Sequence, residues 1–150
     1  QDSLCAALGA LSDTEVLLQA MAQTDQNDLV ERLIHVFRNV EGAWSLVALL
    51  GDARMIAMRD PWGFRPLWIG VNGDSIAFAS EDVALRGYEK LREVQPGEMI
   101  VVTPDLEYHS KVYAPPAPRL WVCSFERVYF QDPASRGVFA FRHIILLFLF

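Results

Sequence analysis

The stretch Arg59-Asp60-Pro61-Trp62-Gly63-Phe64-Arg65-Pro66-Leu67 restricts what this chain can fold into more than any other. Pro61 and Pro66 fix φ, and Gly63 between them permits positive φ, so the connection is short and stiff. Apolar alternation before it, at residues 54–58, and an apolar run after it, at residues 67–71, make it a join between two strands. Arg59, Asp60 and Arg65 lie among Trp62 and Phe64. Charges among buried aromatics have to be paired or hydrogen-bonded. A guanidinium fork matches a carboxylate or a set of loop carbonyls. Two readings follow: a rigid turn locked by an internal Arg–Asp pair, or one wall of an active site held by that rigidity.

At 150 residues, 52% of them apolar, the chain has the length of one domain and material for a sizeable core. Its formal charge of −6 argues against a nucleic-acid partner, which calls for a basic face. Two cysteines, Cys5 and Cys123, make no disulfide framework and point to a reducing, cytoplasmic compartment. The amino end shows no basic region followed by an apolar core, as a leader would. The apolar run at residues 144–150 is far short of the ~20 residues of a spanning helix, so no membrane is expected.

Ser12-Asp13-Thr14-Glu15 is a capping box, and the helix it opens runs to about Gln23 with Val16, Leu17, Ala20 and Met21 on one face. A second helix is expected over residues 28–40, with Leu29, Leu33, Val36 and Phe37 buried. His35 beside that stripe reads as a packed or half-exposed side chain, since no second ligand is spaced to meet it. From Gly42 the pattern becomes extended. Strands are expected at residues 43–50, 54–58, 67–71, 75–79 and 99–103, with 108–113 pairing with the last. Asn72-Gly73 reads as a type I′ hairpin turn. A short helix is expected at 81–88, a stiff proline-rich linker at 114–118 and a further extended run at 122–130. Helices followed by a mostly antiparallel set of strands is an α+β plan, and strands apolar on both faces imply a sheet covered on both sides.

Four segments, in order, resemble the amidophosphoribosyltransferase family. They are Ser12-Asp13-Thr14-Glu15-Val16; Glu41-Gly42-Ala43-Trp44-Ser45-Leu46-Val47 leading into the 59–67 turn; Ala79-Ser80-Glu81-Asp82-Val83-Ala84-Leu85 followed by Val94-Gln95-Pro96-Gly97-Glu98-Met99; and Cys123-Ser124-Phe125-Glu126-Arg127-Val128-Tyr129-Phe130. The first and third recur loosely in other class II glutamine amidotransferases, whereas the turn and the fourth segment are more specific. The resemblance implies a partial domain of the N-terminal-nucleophile hydrolase type, an αββα sandwich of two sheets between helical layers. It covers residues 1–130, with 131–150 a linker and unplaced tail where a phosphoribosyltransferase domain would begin.

The resemblance also implies a role for Asp13, which matches the family aspartate that binds the ammonium group of glutamine. A carboxylate at a helix start suits such a ligand, although it also suits the helix dipole. The nucleophilic cysteine and its terminal amine are expected upstream of this chain, and no catalytic residue is assigned within it. Cys5, followed by Ala6-Ala7-Leu8-Gly9, lacks the family's cysteine context and reads as a small buried thiol. Asn72-Gly73 lies on the wrong side of the Asp13 segment to be the family's oxyanion motif. Cys123 matches one ligand of the four-iron cluster of some members, and with no companion thiolates it reads as a buried core thiol. No metal or other cofactor is therefore expected in this fragment; magnesium, and in some members an iron–sulfur cluster, belong to the intact enzyme. The implied substrate is glutamine, with phosphoribosyl pyrophosphate only in the intact enzyme, a homo-oligomer. The fragment itself is expected to be inactive. Two other readings stay open: another class II amidotransferase such as an asparagine synthetase, and a non-catalytic module that binds glutamine or serves as a scaffold.

Overall fold

Capping chemistry sets where the helices begin. The structure, a computed structural model, describes residues 12–119, 121, 123–132, 134 and 135. Residues 1–41 form one compact unit and Gly42–Phe150 a second. In the first unit, Ser12 is extended and its Oγ accepts from the Glu15 amide at 3.3 Å, opening helix α1 (Asp13–Ala22). Asp28 Oδ1 accepts from the Val30 amide at 2.8 Å and opens α2 (Leu29–Phe37). Arg32 reaches back to donate to the Gln26 carbonyl at 2.6 Å and fastens the connection. The second helix ends three residues earlier than its pattern predicts, because the Asn39 side chain donates to the His35 carbonyl and closes the last turn. Its buried side chains are Val30, Leu33, Ile34, Val36 and Phe37, while His35 is exposed. No side chain of α1 is fully buried.

The second unit is built from two antiparallel sheets. Strands β1 (Ser45–Leu49), β2 (Met55–Arg59), β6 (Glu98–Val102) and β7 (Tyr108–Val112) form one, in the order β1-β2-β6-β7. Strands β3 (Trp68–Asn72), β4 (Ser75–Ala79) and β5 (Lys90–Glu93) form the other, in the order β4-β3-β5. Register puts Ala57 opposite Ile100 and Met55 opposite Val102, so these side chains share one face. That face packs on Leu67, Ile69 and Val94, with Val71, Ile76 and Phe78 around them, to make the core. On the opposite face of the four-stranded sheet, Ile56, Met58 and Met99 are also fully buried, as strands apolar on both faces require.

Three expectations change. The hairpin between β3 and β4 pairs Asn72 with Ser75, so its central residues are Gly73 and Asp74. Only Gly73 has positive φ (+48°), which excludes a type I′ turn and fits glycine at the first position of type II′. Strand β5 escapes the apolar pattern because its inward Arg92 is polar. Residues 126–130, expected to be extended, form a π-helical turn (Glu126–Phe130) closed by the Gln131 amide on the Glu126 carbonyl at 2.9 Å. Within it Phe125 and Tyr129, four residues apart, stack at 5.8 Å.

Arg92, Glu98 and Ser110 join the two sheets. Arg92 binds both oxygens of Glu98, at 2.7 and 2.9 Å, and the Ser110 hydroxyl and Gln95 amide also donate to it. Burial alone would push the Glu98 carboxyl up, but those donors together hold it below the ordinary carboxylate value. A carboxyl lowered in the folded state stabilises the protein above its unfolded pKa, ~4.3, and loses that contribution as pH falls through the folded value. Glu98→Gln should therefore flatten the loss of stability between neutral pH and the acid limb. Urea melts at a series of pH values check this; parallel curves for the two proteins would refute it.

The core covers the middle of the four-stranded sheet and leaves its margins open. Val47 and Leu49 on β1, and Tyr108 and Val112 on β7, lie on the same face as the core yet are exposed, Leu49 to 75% and Val112 to 65%. Among the described residues, β1 and β7 each have one unpaired edge. Open edges beside exposed apolar side chains promote association. The chain should bind a hydrophobic dye and self-associate, and Leu49→Lys with Val112→Lys should reduce both. A monodisperse monomer without dye binding would count against this. No described helix is long and apolar enough to cross a membrane.

Candidate functional site

Arg59, the last residue of β2, is almost fully buried, and its guanidinium is consumed by the loops around it. Nε donates to the Arg65 carbonyl at 2.8 Å, one terminal nitrogen to the Gly63 carbonyl at 3.0 Å, and the other to the Val94 carbonyl at 2.7 Å. The same nitrogen pairs with Glu93 at 3.0 Å. The expected Arg–Asp lock is therefore corrected: Arg59 pairs with Glu93 and loop carbonyls. Asp60 caps the turn, its Oδ1 accepting from the Trp62 amide at 2.9 Å and the Phe64 amide at 3.4 Å. Asp60 is fully buried, and its Oδ2 has no hydrogen-bond donor among the described residues.

Further groups close over the turn. The Tyr113 hydroxyl donates to the Arg59 carbonyl at 2.9 Å. Burial first, and the Asp60 carboxylate second, push that phenol well above its ordinary value, so it stays a donor. The Gly97 amide donates to the Arg59 and Asp60 carbonyls, both at 3.2 Å. The proline-rich segment is pinned rather than free: the Ala117 amide donates to the Pro61 carbonyl at 2.8 Å and the Trp121 amide to the Trp62 carbonyl at 3.0 Å. Trp121 packs against Trp62 at 6.2 Å and Phe64 at 6.0 Å. The geometry accounts for the turn's rigidity. The sequence assigned no role to Tyr113 or Glu93; Val94-Gln95-Pro96-Gly97, within the third family-like segment, is the local signal of the close approach there.

Asp13 lies in the first unit, as the first residue of α1, with its side chain exposed. The amino end of a helix leaves amides unsatisfied, and Ser12 takes up one of them. The Asp13 side chain is exposed and carries no capping contact of its own among the bonds described. Cys5 falls outside the described residues. Cys123 is half-buried rather than a core thiol, in a segment whose neighbours Trp121 and Phe125 are themselves exposed. The described residues contain no group of three or more His, Cys, Asp or Glu side chains placed to hold a metal. A four-iron cluster needs about four thiolates, so these residues alone do not fit one.

A family model described as a glutamine amidotransferase domain matches residues 5–87. An amidophosphoribosyltransferase of Pyrococcus horikoshii is 42% identical over 126 residues, covering 82% of this chain and 27% of that protein. Amidophosphoribosyltransferase 2, chloroplastic, of Arabidopsis thaliana is 37% identical over 140 residues, covering 89% of this chain and 24% of that protein. Among solved structures, the glutamine phosphoribosylpyrophosphate amidotransferase from B. subtilis complexed with ADP and GMP superposes with a TM-score of 0.73 at 32% identity, over 83% of this chain and 27% of that one. A second, titled as the allosteric regulatory enzyme of purine biosynthesis, gives 0.78 at 31% identity, over 89% of this chain and 30% of that one. The chain thus spans about a quarter of the length of the curated relatives it matches. The α+β plan is that of the N-terminal-nucleophile hydrolase type, in part. The chain belongs to the glutamine amidotransferase domain family, and within it is similar to the amidophosphoribosyltransferases.

Proposed function

We propose that this chain is part of the glutaminase domain of an amidophosphoribosyltransferase. In that reading the whole protein releases ammonia from glutamine and delivers it to phosphoribosyl pyrophosphate. The product is phosphoribosylamine, at the start of purine synthesis, in the cytoplasm. The observation that carries the reading is likeness over more than four-fifths of the chain, which takes in the 59–67 turn. Residues 1–130 would be the amidotransferase part, and 131–150 the passage toward a transferase domain where magnesium would act. Asp13 would hold the ammonium group of glutamine by a charge-assisted hydrogen bond. Expression of the complete reading frame that encodes this chain tests the proposal. Glutamine-dependent pyrophosphate release is expected, with Asp13→Asn raising KM for glutamine and leaving ammonia-dependent activity intact. Activity on aspartate and ATP instead would assign the asparagine-synthetase reading.

The 150-residue chain by itself should release no glutamate from glutamine. Thiolate attack on an amide needs an activated nucleophile and donors for the oxyanion. The only thiols are Cys5 and Cys123, neither of which carries a terminal amine as base. One contact at Asp13, worth ~1.5–3 kcal/mol, gives binding weaker than about millimolar. Incubation with glutamine and with a diazo-ketone glutamine analogue, followed by glutamate assay and intact mass, checks this. A stoichiometric adduct on Cys5 would overturn it.

A further inference from the structure

Asn72-Gly73, read from the sequence only as a hairpin turn, places two reactive groups side by side at an open bend. Asn72 is the last residue of β3 and pairs with Ser75, the first of β4. Residues 72–75 are all exposed. Gly73 has no side chain, and nothing lies within 4 Å of where a Cβ would sit, so no neighbour crowds the bend. Among the described residues no acceptor holds its amide. The Asn72 side chain is tied on its other side, where Nδ2 donates to the Gly87 carbonyl at 3.2 Å. Gly87, at φ +96°, lies in the turn that leads into β5. In the same turn the Glu89 amide donates to the Val71 carbonyl at 3.1 Å. One side-chain amide thus links the β3–β4 bend to the turn before β5.

We infer that Asn72 is a site of spontaneous conversion to aspartate and isoaspartate, and that the conversion releases the β3–β4 bend from the turn at Gly87. The Gly73 amide nitrogen, deprotonated by hydroxide, attacks the side-chain carbonyl carbon of Asn72. The new N–C bond closes a succinimide ring as the bond from that carbon to Nδ2 breaks. The leaving nitrogen takes a proton from water and departs as ammonia. Water then opens the ring. Cleavage at the side-chain carbonyl gives aspartate, and cleavage at the main-chain carbonyl gives isoaspartate, with the backbone routed through Cβ. Nothing is oxidised or reduced. A residue inside a strand is held away from this ring closure, but Asn72 makes the last pair of its ladder with β4. Opening that pair is local fraying and leaves the rest of the sheet in place. A carboxylate at this position has no hydrogen to give the Gly87 carbonyl, and it adds a charge near Asp74. The tie to Gly87 is therefore not remade. This chemistry is independent of the glutaminase reading.

The test holds the whole chain, at low micromolar concentration and mildly alkaline pH, both folded and in urea. Ammonia assay and peptide mapping follow the reaction. Conversion at Asn72 in the folded chain is expected within about tenfold of its rate in urea, the cost of opening one terminal pair. Asn27 and Asn39, which precede Asp28 and Val40, are internal controls, because a side chain on the following residue crowds the attack. Folded Asn72 should outrun both by about tenfold or more. Stronger protection by the fold, or equal conversion at the three asparagines, would overturn the site. Asn72→Asp reproduces one product without the reaction. Its Glu89 amide should exchange about tenfold faster than in the parent chain, as for the loss of one hydrogen bond, with the β2–β6 ladder amides unchanged. Unaltered exchange at Glu89 would overturn the release of the turn.

Discussion

Gly97→Ala is expected to destabilise the protein by about 2–5 kcal/mol, enough at the upper end to unfold a marginal domain. Gly97 has φ +73°, where an L side chain is strained. A Cβ there would sit 2.2 Å from the Ala114 carbonyl oxygen, a backbone atom. That backbone has no room to retreat. The Gly97 carbonyl accepts from the Tyr113 amide at 3.0 Å, Tyr113 is tied to the Arg59 carbonyl, and Ala117 to Pro61. Overpacking of ~1–3 kcal/mol therefore adds to a backbone term of ~1–2 kcal/mol. Gly73→Ala supplies the control. It has φ +48° but nothing within 4 Å of its Cβ, so the backbone term acts alone. Urea midpoints of the two variants measure the difference; equal losses would mean that the Gly97 approach can relax.

The contrast between these glycines shows what a sequence carries. Gly73 lies between two strand patterns three residues apart in pairing, so its turn is local information, missed in which two residues form the bend and hence in the turn type. Gly97 is constrained by Ala114, which the β6–β7 hairpin brings back to it. Helix starts were legible for the same local reason, since Ser12 and Asp28 act within three residues of themselves. Strand β5 was not, because Arg92 stands opposite the core residue Ile69 and its partner Glu98 lies on the other sheet. The 126–130 turn was misread because its valine and aromatic residues suit a strand, whereas the stacking of Phe125 on Tyr129 one helical turn apart shows only in the fold. At the candidate site, the charge of Asp13 at a helix start could be read directly. The thiol environment of Cys123 depends on exposure, which a residue type does not encode.

Arg59→Lys should cost about 3 kcal/mol or more, and Glu93→Gln about 1 kcal/mol or less. The two substitutions separate a carbonyl clamp from an ion pair. Arg59 donates to three carbonyls from residues as far apart as Gly63 and Val94, all on a planar fork. Lysine keeps the charge but presents a point ammonium on a flexible stem, which cannot span that geometry. It would strand at least one buried carbonyl, at ~1–3 kcal/mol each, and misplace a buried charge. Glu93 is only half-buried, so water screens its side of the pair. Glu93→Gln leaves an amide oxygen able to accept from Arg59, and the clamp stays filled. Denaturant midpoints for the two single variants and the double variant give both costs and their coupling. If Glu93→Gln proved as damaging as Arg59→Lys, the ion pair would be the lock on this turn, and the carbonyl fork would be secondary.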